Sequence, residues 1–362
     1  MKPAEPTLAF VQACAVLPTG QTSVAQWQQA ALADHAAEIS STYRVLTRWQ
    51  FGEVSQQAAA WCADQAVKPH AQPQARFACE PSASQADMAE AAVKGLMDAL
   101  PEKPACGVAV YATSGVDENF FQSSISRLVC GMGMSRVPHF GVAQWQGASW
   151  IGAMDIIASL SAESDGDHYA ALMVCAEKWP LPFPRALSLP AVMGDGAAAL
   201  WIERVGEQVL QPALVCVDTG MRSNAPYVTL PDAAQATLPD VGRARILADA
   251  RELMGALLVK HALQPDDVQG WLPSGLGRDW DRALQDSLGL DGLSCPPACE
   301  NESSGYLSAA AGPVAIERLL SAMRAGHVEN GARFLSWGMS LGGTVGVALL
   351  QARCPQARGA SA

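Results

Sequence analysis

The sequence predicts a mixed α/β fold built from two successive halves, 1–205 and 206–362. Three observations carry this. Apolar residues make up 49% of the 362 residues and charged residues only 16%, enough to fill a large core. Strand-length segments such as Ala170-Ala-Leu-Met-Val-Cys-Ala176 are continuous apolar runs, the pattern of sheets covered on both faces. Helical periodicities alternate with those runs, and the alternation starts again after residue 205.

The first half opens on a strand, Leu8–Leu17, ended by Pro18-Thr-Gly20. Gln12 interrupts this run and only Lys2 precedes it, so it reads as a buried strand and not as a secretory signal. Ser23 caps a helix through Trp27. Residues 68–84 are polar, with Pro69, Pro73 and Pro81, and read as a loop. Ser84–Leu100 is an amphipathic helix. Gly107–Ala112 is a core strand, and Asp117–Cys130 is a helix with Phe120, Ile125 and Leu128 as apolar anchors. A short strand, Gly141-Val-Ala143, leads through a turn of small residues into a buried helix, Ser149–Leu160. Strands Ala170–Ala176 and Ala197–Ile202 close the half, with Asp195 in the turn before the second.

In the second half, Gln211–Asp218 and Tyr227–Leu230 read as strands and Val241–His261 as a long helix. Gly270–Leu272 is a strand, Trp280–Leu288 and Gly312–Ala325 are helices, and Arg333–Trp337 with Val345–Leu350 are the closing strands. No stretch rich in Gly, Ser or Pro separates independent domains.

The bulk numbers exclude several functions. A net charge of −11 argues against nucleic-acid binding, because phosphate contacts need a basic surface. No run reaches the roughly 18 apolar residues of a membrane span. The ten cysteines show no repeated spacing, and the lone pair Cys295 and Cys299 has no second pair or nearby histidine. Neither a metal nor a cofactor is expected, and unpatterned thiols suit a reducing cytoplasm.

Five segments, in order, resemble the ketosynthases that elongate fatty acids and polyketides. Phe10–Gly20, followed by Trp27, resembles the family's opening strand and glycine-rich turn, with Ala13 and Ala15 where glycines are usual. Val142-Ala-Gln-Trp-Gln-Gly-Ala-Ser-Trp-Ile-Gly152 is similar to the nucleophile segment T-A-C-x-S-G-x-x-x-I-G. Gly147, Ile151 and Gly152 match without a gap, which sets Gln144 on the cysteine, with Gln146 the occupant if the alignment slips. Met193–Leu200 resembles the G-E-G-A strand, Ser274-Gly-Leu-Gly-Arg278 resembles H-G-T-G-T, and Asn301–Gly312 resembles K-x-x-x-G-H-L-x-x-A-A-G. Near the end, Met339-Ser-Leu-Gly-Gly-Thr344 resembles the F-G-F-G-G-T loop.

The resemblance implies a thiolase-like five-layer α-β-α-β-α fold from two duplicated halves. It also implies that the family's chemistry is missing. Condensation needs a thiolate to take the acyl group, two histidines to stabilise the enolate, and a lysine to set the electrostatics. Here Gln144, Ser274, Tyr306 and Asn301 stand in those places. An amide cannot form a thioester at neutral pH, and hydroxyls lack an imidazole's charge and tunable pKa. Ser149 is a poor substitute nucleophile, since no histidine lies within nine residues of it.

This pattern resembles the chain-length factor of type II polyketide synthases, including aryl polyene-like systems. The resemblance then implies a heterodimer with an active ketosynthase and an acyl tunnel along the shared seam. Acyl carrier protein would dock mainly on the partner, since carrier proteins are usually acidic too. The expected seam is the strand around Val142 with the helix Asn119–Gly131, and its wall residues are Phe120, Phe121, Ser124, Ile125 and Leu128. Two other readings stay open. One is a decarboxylase of the kind that carries glutamine at the cysteine position, although that chemistry relies on the absent histidines. The other is an acyltransferase of the ketosynthase III branch.

Overall fold

The computed structural model describes residues 7–27, 29, 75–100, 105–115, 122–164, 168–179, 185, 192–206, 208–224, 240–294 and 304–355. In the first half these form β1 (Thr7–Val16), β2 (Gln21–Ser23), β3 (Arg76–Ala78), α1 (Gln85–Ala99), β4 (Val108–Ala112), α2 (Ser124–Gly131), β5 (His139–Val142), α3 (Ser149–Ala162), β6 (Ala170–Glu177) and β7 (Gly196–Val205). The second half adds β8 (Ala213–Ser223), α4 (Asp240–Lys260), β9 (Gly270–Leu272), α5 (Arg278–Leu288), α6 (Ala311–Arg324), β10 (Arg333–Ser340) and β11 (Thr344–Arg353).

Nine strands hydrogen-bond in the order β5-β4-β6-β7-β1-β8-β11-β10-β9. Read outward from the centre, each half repeats one scheme. Its first and last strands, β1 with β7 and β8 with β11, pair antiparallel. The preceding strand, β6 or β10, is antiparallel to the last. An earlier strand, β4 or β9, then runs parallel to that one. Between the two central strands β1 and β8, the pairs Ala9↔Val215 and Phe10↔Leu214 join the halves.

The layering follows from which helices touch which strands. α3 packs on β4, β5 and β6 of the first half and on β8 and β11 of the second. α6 packs on β1 and β7 and also on β8, β9 and β10. A helix that touches both halves lies between them, and α6 is buried on nearly all sides as such a helix must be. α1 and α2 cover the outer face of the first half, and α4 and α5 that of the second. The arrangement is the thiolase-like α-β-α-β-α sandwich. Strand alternation matches it: Ala171, Met173 and Cys175 of β6 face the central helices, while Leu172 and Val174 face α1 and α2.

Three local expectations change. The 68–84 loop contains a strand, β3, which pairs with β2 and buries Phe77 against Val24 and Val192. The helix expected from Asp117 starts, among the described residues, at Ser124, because the Ser123 hydroxyl accepts the Ser126 N–H and caps it there. Asp195 does more than complete a turn. It forms a two-pronged ion pair with Arg185, at 2.7 and 2.8 Å. The expected strand Tyr227–Leu230 lies outside the described residues. Ser84 caps α1 through a reciprocal capping box with Asp87, as its place before an apolar run suggests.

Candidate active site

β5 ends at Val142, and a tight turn leads into the central helix α3 through a short 3₁₀ segment, Gln146–Ala148. Gln144 and Gln146 both adopt left-handed backbone, with φ of 70° and 45°. Such conformations cost free energy in non-glycine residues and persist only where surroundings hold them. Here the β10–β11 loop does so. The Ser340 hydroxyl donates to the Gln144 carbonyl at 3.1 Å, and the Leu341 N–H donates to Gln146 Oε1 at 2.9 Å. Gln144 itself is exposed, whereas Gln146 is half-buried with its amide turned into that loop. Both positions that the resemblance aligns with the family's cysteine therefore carry amides.

Glycine is required where this turn presses on its neighbours. A Cβ on Gly338 of β10 would stand 2.0 Å from the Gly147 carbonyl oxygen. One on Gly147 would stand 2.6 Å from the Tyr306 hydroxyl oxygen.

Tyr306 links the separated motifs. It is 1% exposed, and its hydroxyl donates to the Met339 carbonyl at 3.4 Å. Its backbone bridges the Met193 segment, with Tyr306 N–H on Val192 O at 2.7 Å and Gly194 N–H on Tyr306 O at 3.0 Å. Its ring lies against Gly275, whose added Cβ would come within 3.2 Å of it. Ser274, next to that glycine, is buried, and its hydroxyl accepts the Leu276 N–H at 3.1 Å. The Ser274 N–H donates to Asp281 Oδ1 at 3.3 Å, and the Trp337 indole donates to the same oxygen at 2.7 Å. Burial raises the pKa of the Asp281 carboxyl.

Tyr306 thus stands between the turn after Val142 and the Ser274 segment. Asn301, Phe120 and Phe121 lie outside the described residues. Val142 is buried in the central core beside α3, and Ile125 and Leu128 are buried with α1 in the outer core of the first half. Ser124 is buried as well, so these side chains pack within their own chain.

One acidic residue here was not foreseen. Glu177, at the end of β6, is 1% exposed and accepts from the Ser114 hydroxyl at 2.5 Å and the Ser114 N–H at 3.2 Å. Burial pushes its pKa up to about 7, against the lowering effect of those hydrogen bonds. Burial, and then the Glu177 charge, raise the Tyr306 phenol. An acid closing an apolar strand reads in sequence as a strand exit, which hides this role.

The raised pKa gives a stability prediction. The folded chain holds the Glu177 proton more tightly than the unfolded chain, whose Glu titrates near ~4.3. The stability contributed by the protonated form is complete below that value and is lost as pH rises through about 7. Glu177→Gln keeps the shape and removes the titration. The stability gap between wild type and variant, read from urea unfolding, is expected to move by roughly 2–3 kcal/mol in the variant's favour between about pH 5 and about pH 8. A gap independent of pH would show that Glu177 is solvated.

Seven cysteines fall among the described residues, and none lies in this turn. Burial raises the thiol pKa of six of them, to about 12 for Cys216. The described histidines also lie elsewhere: His139 on β5, His261 beside Asp218, and His168 and His327 in connections. Among the described residues the site can therefore offer hydroxyls, amides and two carboxyls whose pKa burial raises, Glu177 and Asp281, but neither thiolate nor imidazole. Among the described residues no three His, Cys, Asp or Glu side chains group to hold a metal, and no helix is long and apolar enough to cross a membrane.

No family model matches the chain, and no curated protein matches it. Solved structures do. The chain is similar to the acyltransferase ChlB3 at a TM-score of 0.69 and 17% identity, over 97% of this chain and 99% of that one. It is similar to 3-oxoacyl-(acyl carrier protein) synthase III, FabH, from Pseudomonas aeruginosa at 0.65 and 17%, over 97% and 99%. A variant of OleA from Xanthomonas campestris gives 0.66 and 15%, over 97% and 100%. At these identities the shared property is the thiolase-like fold.

Proposed function

We propose that this chain is a subunit of the chain-length-factor kind, silent in condensation. It pairs with an active ketosynthase of the same fold and shapes the acyl tunnel in polyketide or fatty-acid-like biosynthesis. The observation that carries this reading is the meeting point around Tyr306. The resemblance aligns Gln144 (or Gln146, if the alignment slips), Ser274 and Tyr306 with the thiolate and imidazoles that acyl transfer and decarboxylation would need, and around Tyr306 these segments meet. A buried phenol fills the place of one of those imidazoles, so the chain keeps the scaffold and gives up the chemistry. β5 supports the pairing: among the described residues this strand bonds only to β4, which leaves one edge for a partner. The net charge of −11 favours docking of an acidic carrier protein on the partner.

A second reading draws on the neighbours. One is described as an acyltransferase and others as ketosynthase III, which fits a homodimeric acyltransferase of that branch. It would need a nucleophile that the described turn lacks.

The test is co-expression with a ketosynthase that retains its cysteine and both histidines, followed by native mass spectrometry and turnover assays. The expected result is a one-to-one heterodimer that elongates acyl chains. The chain alone should neither condense acyl groups nor decarboxylate malonyl-carrier protein. Homodimers alone would remove the proposal, and homodimers that transfer acyl groups would establish the second reading.

A further inference from the structure

Away from the degenerate turn, the structure builds a different pair of groups between α2 and β5. His139 Nδ1 lies 2.8 Å from the Val137 carbonyl oxygen, and His139 Nε2 lies 3.1 Å from Ser126 Oγ. A carbonyl oxygen only accepts, so Nδ1 carries the proton. In the neutral ring Nε2 is then a lone-pair acceptor, and the Ser126 O–H donates to it. Ser123 Oγ lies 2.7 Å from Ser126 Oγ. Since the Ser126 proton is committed to His139, the Ser123 hydroxyl is the donor in that contact. Ser126 Oγ thus has a base drawing on its proton and a second hydroxyl donating to its oxygen. It also sits in the first turn of α2, where the helix dipole favours developing negative charge.

We infer that Ser126 is a nucleophile activated by His139, with Val137 orienting the ring, and that its substrates are acyl thioesters. This is the nucleophile–base–orienter arrangement of acyl transfer, with a main-chain carbonyl in the orienting place. Both side chains are half-buried, so a reagent can reach them. A thiolate leaves readily, which suits the thioester class over amides. In the step, Ser126 Oγ bonds to the thioester carbonyl carbon while its proton passes to His139 Nε2. The C–S bond then breaks, and the thiolate takes the proton from the imidazolium. Water, activated in the same way, releases the acid and restores Ser126, so the net reaction is thioester hydrolysis. The activity belongs to the unpaired chain, because Ser126 and His139 stand on the helix and strand of the proposed seam.

The test uses the full chain with a fluorophosphonate probe and, separately, an acetyl thioester, with adducts located by peptide mass spectrometry. The expected adduct lies on Ser126. It is absent in Ser126→Ala and forms at least about 100-fold more slowly in His139→Gln, the usual size of a general-base effect. Circular dichroism reports whether each variant is folded. If one is not, the wild-type chain still decides, because its adduct must map to Ser126 and to no other described serine. No adduct on Ser126, or a rate unaffected by folded His139→Gln, would overturn the inference. The Ser126–His139 contact would then be a staple between α2 and β5.

Discussion

Asp195→Ala is expected to cost about 3–5 kcal/mol of folding stability, the usual penalty for removing one partner of a buried ion pair. The side chains of Arg185 and Asp195 are 4% and 0% exposed. Asp195 takes both guanidinium prongs, and it also accepts the backbone N–H groups of Glu80 and Trp179, each at 2.9 Å. Alanine would leave all of these donors buried beside an uncompensated positive charge. The Phe77 and Trp27 rings, with centroids 5.0 and 5.8 Å from the guanidinium carbon, hold Arg185 in place, so it cannot easily turn to water. The double variant Arg185→Met/Asp195→Leu removes both charges and is expected to recover most of the loss. Urea unfolding of the three proteins measures this. A single-variant cost below about 1 kcal/mol, typical of an exposed pair, would contradict the burial described.

Tyr306→Ala is expected to cost about 3–5 kcal/mol, the range for deleting a buried aromatic ring. Tyr306→Phe should cost about 1 kcal/mol or less, since the hydroxyl makes one long hydrogen bond to Met339 at 3.4 Å. The contrast tests whether bulk or polarity is the reason for this residue. A third variant locates the contact. Gly147→Ala brings a methyl group toward the Tyr306 hydroxyl oxygen and should destabilise the wild type. In a Tyr306→Ala background that penalty should shrink, so that the double variant costs less than the sum of the single variants in a double-mutant cycle. Additive effects would mean that Tyr306 does not fill the space beside the turn.

Much of the fold could be read in advance because its strands are apolar runs too long and too continuous for half-exposed sheets. The central helices were legible for the same reason, since α6 has little polar face to expose. β2 and β3 were not, because three residues are too few to show a period. The start of α2 depends on the Ser123 cap, and an apolar pattern alone extends the helix toward Phe120. At the site, the resemblance to the family's motifs led to Gln144, Ser274 and Tyr306. Spacing could not separate Gln144 from Gln146, which differ in the direction their amides take and not in residue type. Glu177 and the Arg185–Asp195 pair escaped notice because burial and partner choice arise only when distant segments meet.

The register of β1 sets a schedule for synthesis. Its partners on β7 and β8 lie roughly two hundred residues downstream, which a ribosome needs about 10–40 s to add. Until then Phe10 and Val11, fully or nearly fully buried in the finished protein, have no strand to lie against. β1 therefore stays unpaired until the first half is complete, and through that interval its apolar side chains are open to association with other chains.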